Sequence, residues 1–112
     1  MRDQPRWIPE VAAELLRAGE SMGARPGHMF GHPALYAGRR LAACAYGEGV
    51  GMKLPADRVQ TLVAAGQASL FQPYGKAPMS EWLHVRATTS SEVDGLTQLI
   101  AESLDFVADG RT

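Results

Sequence analysis

The sequence predicts an α+β fold: a two-layer α/β sandwich with one antiparallel sheet and its helices on one face. Three observations point to it. Apolar residues recur at helical spacing near each end of the chain. Three short β-like runs follow one another, joined by glycine-bearing links. A central helix pattern then leads into two more short strands, giving the order α-β-β-β-α-β-β-α.

The first helix spans about residues 8–22, with Ile8, Val11, Ala12, Leu15, Leu16 and Met22 along one stripe and Glu10, Glu14, Arg17 and Glu20 largely between them. Pro9 suits a first helical turn, where a missing N–H costs nothing, and Gly23 and Pro26 forbid continuation. Residues 28–36 (HMFGHPALY) read as one strand, and Gly31 and Pro33 make it an edge or bulged strand. Ala37-Gly38 turns the chain into a strand over residues 40–46, and Gly47-Glu48-Gly49 turns it again into residues 50–54. Pro55 opens a helix bearing Val59, Leu62 and Val63, and Gly66 stops it. Residues 69–72 and 80–87 form the last strands around a turn at 73–79. Thr89 and Glu92 have capping-box spacing before a final helix carrying Val93, Leu96, Leu99, Ile100, Leu104 and Val107.

Strand alternation divides the sheet residues between two faces. Leu41, Ala43 and Ala45, with Val50, Met52, Leu54, Leu83, Val85 and Ala87, are expected to meet the helices. The opposite face receives Ala42, Cys44, Tyr46, Gly51, Lys53, Trp82, His84 and Arg86. Water-facing strands ordinarily carry charged and hydroxyl residues, so an outer set that includes Cys44, Tyr46 and Trp82 marks this face as the candidate interaction surface.

A chain of 112 residues fits one domain, with an ordered core at about 8–108. Its 46% hydrophobic and 21% charged content is ordinary for a globular protein. The formal charge of −1 lacks the basic excess on which phosphate binding depends, so specific duplex DNA binding is not expected. Cys44 is the only cysteine, and the charged, proline-containing start does not resemble a secretory leader. No segment approaches the ~20 apolar residues of a membrane span, and a reduced, cytoplasmic protein is expected.

Four constellations invite chemistry. Cys44 with His28, His32 or His84 suggests a nucleophile, but Cys44 lies within the small apolar run LAACAY, where thiols usually only pack. His28 and His32 have a helical metal-ligand spacing, but in one extended strand they would stand about 13 Å apart, so no metal is expected. The Pro73-Tyr74-Gly75-Lys76 turn lacks the following helix a phosphate loop requires, leaving Lys76 a solvated charge. Arg39-Arg40 reads as a solubilising strand end. No grouped acid, base and nucleophile emerges, so neither an enzyme nor a cofactor is expected. Trp82 keeps two readings: cover by the chain's own N-terminal segment or a neighbouring loop, or a surface for a partner.

Two stretches carry a family likeness. Met29-Phe30-Gly31-His32-Pro33-Ala34-Leu35-Tyr36, with Gly38-Arg39-Arg40-Leu41 and Met52-Lys53-Leu54, resembles the first block of TfoX/Sxy N-terminal domains. The segment from Phe71 through Pro73-Tyr74-Gly75-Lys76-Ala77-Pro78-Met79 to Trp82 is similar to the second block, an aromatic turn entering the last strand. The likeness covers about residues 10–108. It implies a two-layer domain shaped like type III secretion chaperones, here as a stand-alone N-terminal domain without the C-terminal helical domain of the longer, competence-regulating members. The function expected on these grounds is a non-enzymatic regulatory or accessory protein-interaction domain, a homodimer joined through the Trp82 face. A small-ligand-binding domain using that face, and a DNA-binding competence regulator, are the alternatives.

Overall fold

A computed structural model describes residues 6–73, 77 and 79–109. Helix α1 (Pro9–Ser21) is followed by strands β1 (Arg25–Met29), β2 (His32–Ala37), β3 (Arg40–Tyr46) and β4 (Gly49–Lys53). Then come α2 (Ala56–Ala64), β5 (Ser69–Leu70), β6 (Trp82–Arg86), α3 (Ser90–Asp94) and α4 (Thr97–Ala108). The six strands form one antiparallel sheet in the order β1-β2-β3-β4-β6-β5. This is the expected α+β architecture with the elements in the expected succession. The Pro73-Tyr74-Gly75-Lys76 turn lies largely outside the described residues.

Two elements are subdivided. The run over 28–36 is a hairpin rather than one strand, and Phe30-Gly31 is its two-residue tip, with φ of 50° and 83°. Both central residues of such a turn need positive φ, which asparagine or glycine usually supplies, so a phenylalanine hides the signal. The final helix breaks at Gly95-Leu96 into α3 and α4.

The helices stop where the glycines indicate. The Ala24 N–H donates to the Gly19 carbonyl across Gly23 at φ 89°, and the Gln67 N–H donates to the Leu62 carbonyl across Gly66 at φ 77°. Val11, Ala12, Leu15, Ala18 and Gly19 form the buried stripe of α1. Gly19 lets α1 settle directly on Leu35 of β2, since a side chain there would collide with the leucine methyls. The main core joins this stripe to Val59, Val93, Ile100 and Val107 of the other helices and to Leu35, Ala43, Ala45, Val50, Met52, Leu83 and Val85 of the sheet. All four helices therefore contribute to a single core on one sheet face.

One register detail alters the expected faces. Leu35 pairs with Ala43 while Tyr36 pairs with Leu41, so Ala42 is an extra residue on β3. The bulge turns Ala42 toward the helices and Leu41 toward the other face, reversing the simple alternation. The Ala42 carbonyl accepts a hydrogen bond from the fully buried Ser103 hydroxyl of α4 at 2.9 Å. Burying that hydroxyl is tolerable because it reaches a carbonyl that the bulge has left outside the register pairs.

The C-terminal helices are fastened by carboxylates. Thr89 caps α3, its hydroxyl accepting from the Glu92 N–H at 3.1 Å, while the Glu92 carboxylate reaches past the usual box to the Thr88 N–H at 2.8 Å. Glu10 of α1 accepts from the Ser90 N–H at 2.8 Å, joining the first turns of two helices. Both carboxyls are held below their ordinary value of 4.5, chiefly by these backbone hydrogen bonds.

Two outcomes follow for stability. Ser103→Ala removes the buried hydroxyl that donates to the bulge carbonyl and should cost about 1–3 kcal/mol in urea unfolding. Because Glu10 and Glu92 have depressed values when folded, their contribution is complete above the unfolded carboxyl value and is lost as pH falls through the lower folded one. The urea midpoint should therefore fall on acidification below about pH 5, and Glu92→Gln should flatten that decline.

Candidate functional site

The sheet face away from the helices is not open. Ala34, Cys44, Tyr46, Phe71 and Trp82 form a second buried cluster there, flanked by Met29, Tyr36 and Leu41. Trp82 retains only 9% of its exposure and Cys44 none. The expected surface of Cys44, Tyr46, Lys53, Trp82, His84 and Arg86 is thus corrected in three places. Cys44, Tyr46 and Trp82 are interior, Lys53 and His84 are half-buried, and Arg86 is exposed.

Phe71 supplies much of the cover, and the pairing explains how. Across the outer face, Cys44, Gly51, His84 and Ser69 stand side by side on successive strands. Gly51 has no side chain, which leaves a dip between the thiol and the imidazole. The Phe71 ring fills it, lying 2.8 Å from where a Cβ on Gly51 would stand. Its ring centre is 5.1 Å from Tyr46, edge-on, 5.8 Å from Trp82 and 5.9 Å from His84, nearly parallel to the imidazole.

The aromatic layer continues toward the N-terminus. His32 stacks on Tyr46 at 4.9 Å, and Trp7 packs on His32 at 5.2 Å. Trp7 is held by a parallel bridge to Gly47, whose N–H donates to the Arg6 carbonyl. Of the two expected covers for Trp82, the adjacent chain after β5 packs on it through Phe71, while the N-terminal segment reaches His32.

The polar groups serve the backbone. His32 Nδ1 donates to the Ala45 carbonyl at 3.0 Å and His84 Nε2 donates to the Tyr46 carbonyl at 2.8 Å, so each ring pins the end of β3. Burial pushes the Cys44 thiol up to about 12, against a smaller opposing effect of the Gly51 backbone hydrogen bond. A thiol so placed stays protonated and has no nucleophilic character at neutral pH. Lys53 pairs with Glu81 at 3.9 Å and Arg86 with Glu48 at 3.5 Å.

The histidine pair is also rearranged. The hairpin at Phe30-Gly31 folds between His28 and His32, so they sit on neighbouring strands and alternate to opposite faces instead of sharing one strand. His28 is exposed and His32 buried. No group of three or more His, Cys, Asp or Glu placed to hold a metal exists among the described residues. No described helix is long and apolar enough to cross a membrane.

A surface that sequence reasoning missed lies at the sheet edge. Beside β5 runs an apolar groove of about 400 Å³, lined by Ala56, Val59, Val63 and Ala64 of α2 and by Leu70. Leu70 is 40% exposed and Met79 41%. Helical spacing of Val59 and Val63 was legible, but their adjacency to a two-residue edge strand depends on tertiary placement.

The two stretches that carry the family likeness meet in the outer cluster: Met29, Ala34, Tyr36 and Leu41 from one, Phe71 and Trp82 from the other. Their side chains pack together in that cluster. No protein-family model, curated protein or solved structure matches the chain.

Since Trp82 is interior, Trp82→Glu should act on folding. Placing a carboxylate in this cluster while deleting the indole should cost at least about 3–5 kcal/mol. Urea denaturation would register it; a variant of unchanged stability and altered oligomeric state would contradict the burial.

Proposed function

We propose that the chain is a non-enzymatic protein-interaction domain of the TfoX N-terminal kind, with a regulatory or accessory role and a second copy of itself as partner. The observation that carries this reading is the apolar groove between α2 and β5, with Leu70 exposed on its rim.

The two edges of the sheet differ. At β1, Pro26 lacks an N–H and Arg25 brings charge, a combination that discourages strand addition. Arg25 is fixed there, its guanidinium donating to the Gly38 carbonyl and lying over Tyr36. At β5, no strand among the described residues lies on the outer side of Ser69–Leu70. A two-fold axis beside β5 would set the same short strand against itself and bring each Leu70 toward the groove of the other copy. The surface is then both knob and hole, which a homodimer requires and an unrelated partner does not. With so short a strand, apolar contact supplies more of the association than main-chain bonds do.

The small-ligand reading rests on one other observation, a recess of about 250 Å³ bordered by Tyr46, Ser69, Phe71, Gln72 and His84. It would take a compact ligand with an apolar side and a hydrogen-bonding edge.

Sedimentation of the wild type and Leu70→Glu tests the dimer. The wild type should be a dimer and the variant a monomer with an unchanged circular dichroism spectrum, since Leu70 is not part of either buried cluster. A monomeric wild type, or a Leu70→Glu variant that remains dimeric, would overturn this assignment.

A further inference from the structure

We propose that Phe71 is a latch: the outer face opens by release of β5 and Phe71 alone, as a local event that leaves the helix-side core and the other five strands folded. The dimer reading shares β5 with the latch but rests on Leu70, which alternates to the opposite face of the sheet from Phe71, so Leu70→Glu and Phe71→Ala test the two separately.

The latch and its seat are unequally held. The seat is built from strands paired on both sides: β3 lies between β2 and β4, β4 between β3 and β6, and β6 between β4 and β5. The latch hangs on an edge strand with two register pairs, Ser69 with His84 and Leu70 with Leu83, extended by the Phe71 N–H to the Trp82 carbonyl at 3.2 Å. Ser69 and Leu70 are both exposed, whereas Phe71 is 2% exposed. Between β5 and the buried Pro73, the Phe71 ring is the buried anchor of a segment whose two strand residues are exposed. Segments with few buried contacts and short ladders open at lower free energy than the fold as a whole.

The geometry also gives the ring a way out. The dip at Gly51 presents no side chain to interlock with the ring, and the recess of about 250 Å³ lies directly beside it. When the ring leaves, Cys44, Tyr46 and Trp82 lose cover together, because all three share its cluster. β6 keeps its pairing to β4, so His84 and Trp82 stay in place and the opened face retains its shape.

Cys44 is the only cysteine, so it reports on the opening without ambiguity. The experiment measures its reaction with a thiol reagent at mildly alkaline pH across a series of urea concentrations. The rate should be nearly independent of urea at low concentration and should join the global unfolding line only near the transition. Phe71→Ala should raise the low-urea rate at least about tenfold. Val93→Ala, placed in the helix-side core, should lower the urea midpoint and leave the low-urea rate within about twofold of wild type. Should Phe71→Ala not fold, Phe71→Leu takes its place, with an acceleration of a few fold. Hydrogen exchange gives a second reading, in which the Phe71 amide exchanges well before those of Val50 and Met52. Wild-type labelling that follows global unfolding at every urea concentration, or acceleration by Val93→Ala equal to that by Phe71→Ala, would overturn the latch.

Discussion

The central strand is buried on both faces, and its side chains from Ala42 to Ala45 are all small. Much of the remaining structure depends on that. Small residues let α4 approach closely enough for Ser103 to reach the Ala42 carbonyl from one side. On the other side they leave a shallow floor, which the aromatic layer of His32, Tyr46, Phe71 and Trp82 fills. A leucine at position 43 or 44 would overfill one layer or the other, because close-packed interiors have no spare volume.

The result is a sheet with two cores of unequal construction. Helices seal the first, and their own hydrogen bonds make them a stiff cover. The second is sealed by individual rings delivered on short, irregular segments: Trp7 on a single bridge and Phe71 at the end of a two-residue strand. Strands that face helices on one side and rings on the other must be apolar throughout, which is why β3 and β4 are buried almost continuously.

Much of the scaffold was legible along the chain because it follows from local rules. Period 3.6 located α1 and α2, glycines at 23 and 66 stopped them, and alternation assigned Val50, Met52, Leu83 and Val85 to the helix side. The misreadings have local causes as well. Phe30 occupies a backbone conformation that turn statistics reserve for other residues, so one strand was expected where there are two. One inserted residue at Ala42 exchanged the faces of Leu41 and Ala42, an effect that alternation cannot anticipate. Cys44, Tyr46, Trp82 and His84 share one side of the sheet, as alternation along the strands places them. Cover by a neighbouring loop was one of the two readings for Trp82, but the residue that supplies it was not legible. Phe71 reaches Gly51 only by crossing over β6, which pairs with β4 on one side and β5 on the other, and nothing local to residue 71 announces a vacancy at residue 51.

That vacancy and its occupant behave, for substitution, as a single position split between two places in the chain. A β-carbon at Gly51 would meet the Phe71 ring, and a smaller residue at 71 would leave a void above Gly51. Neither site can drift alone without strain or a hole, whereas a compensated exchange of bulk from 71 to 51 conserves the packed volume. Sequence change at this seam is therefore a matter of paired steps, and a single step in either direction is the less stable intermediate between two equally well-filled arrangements.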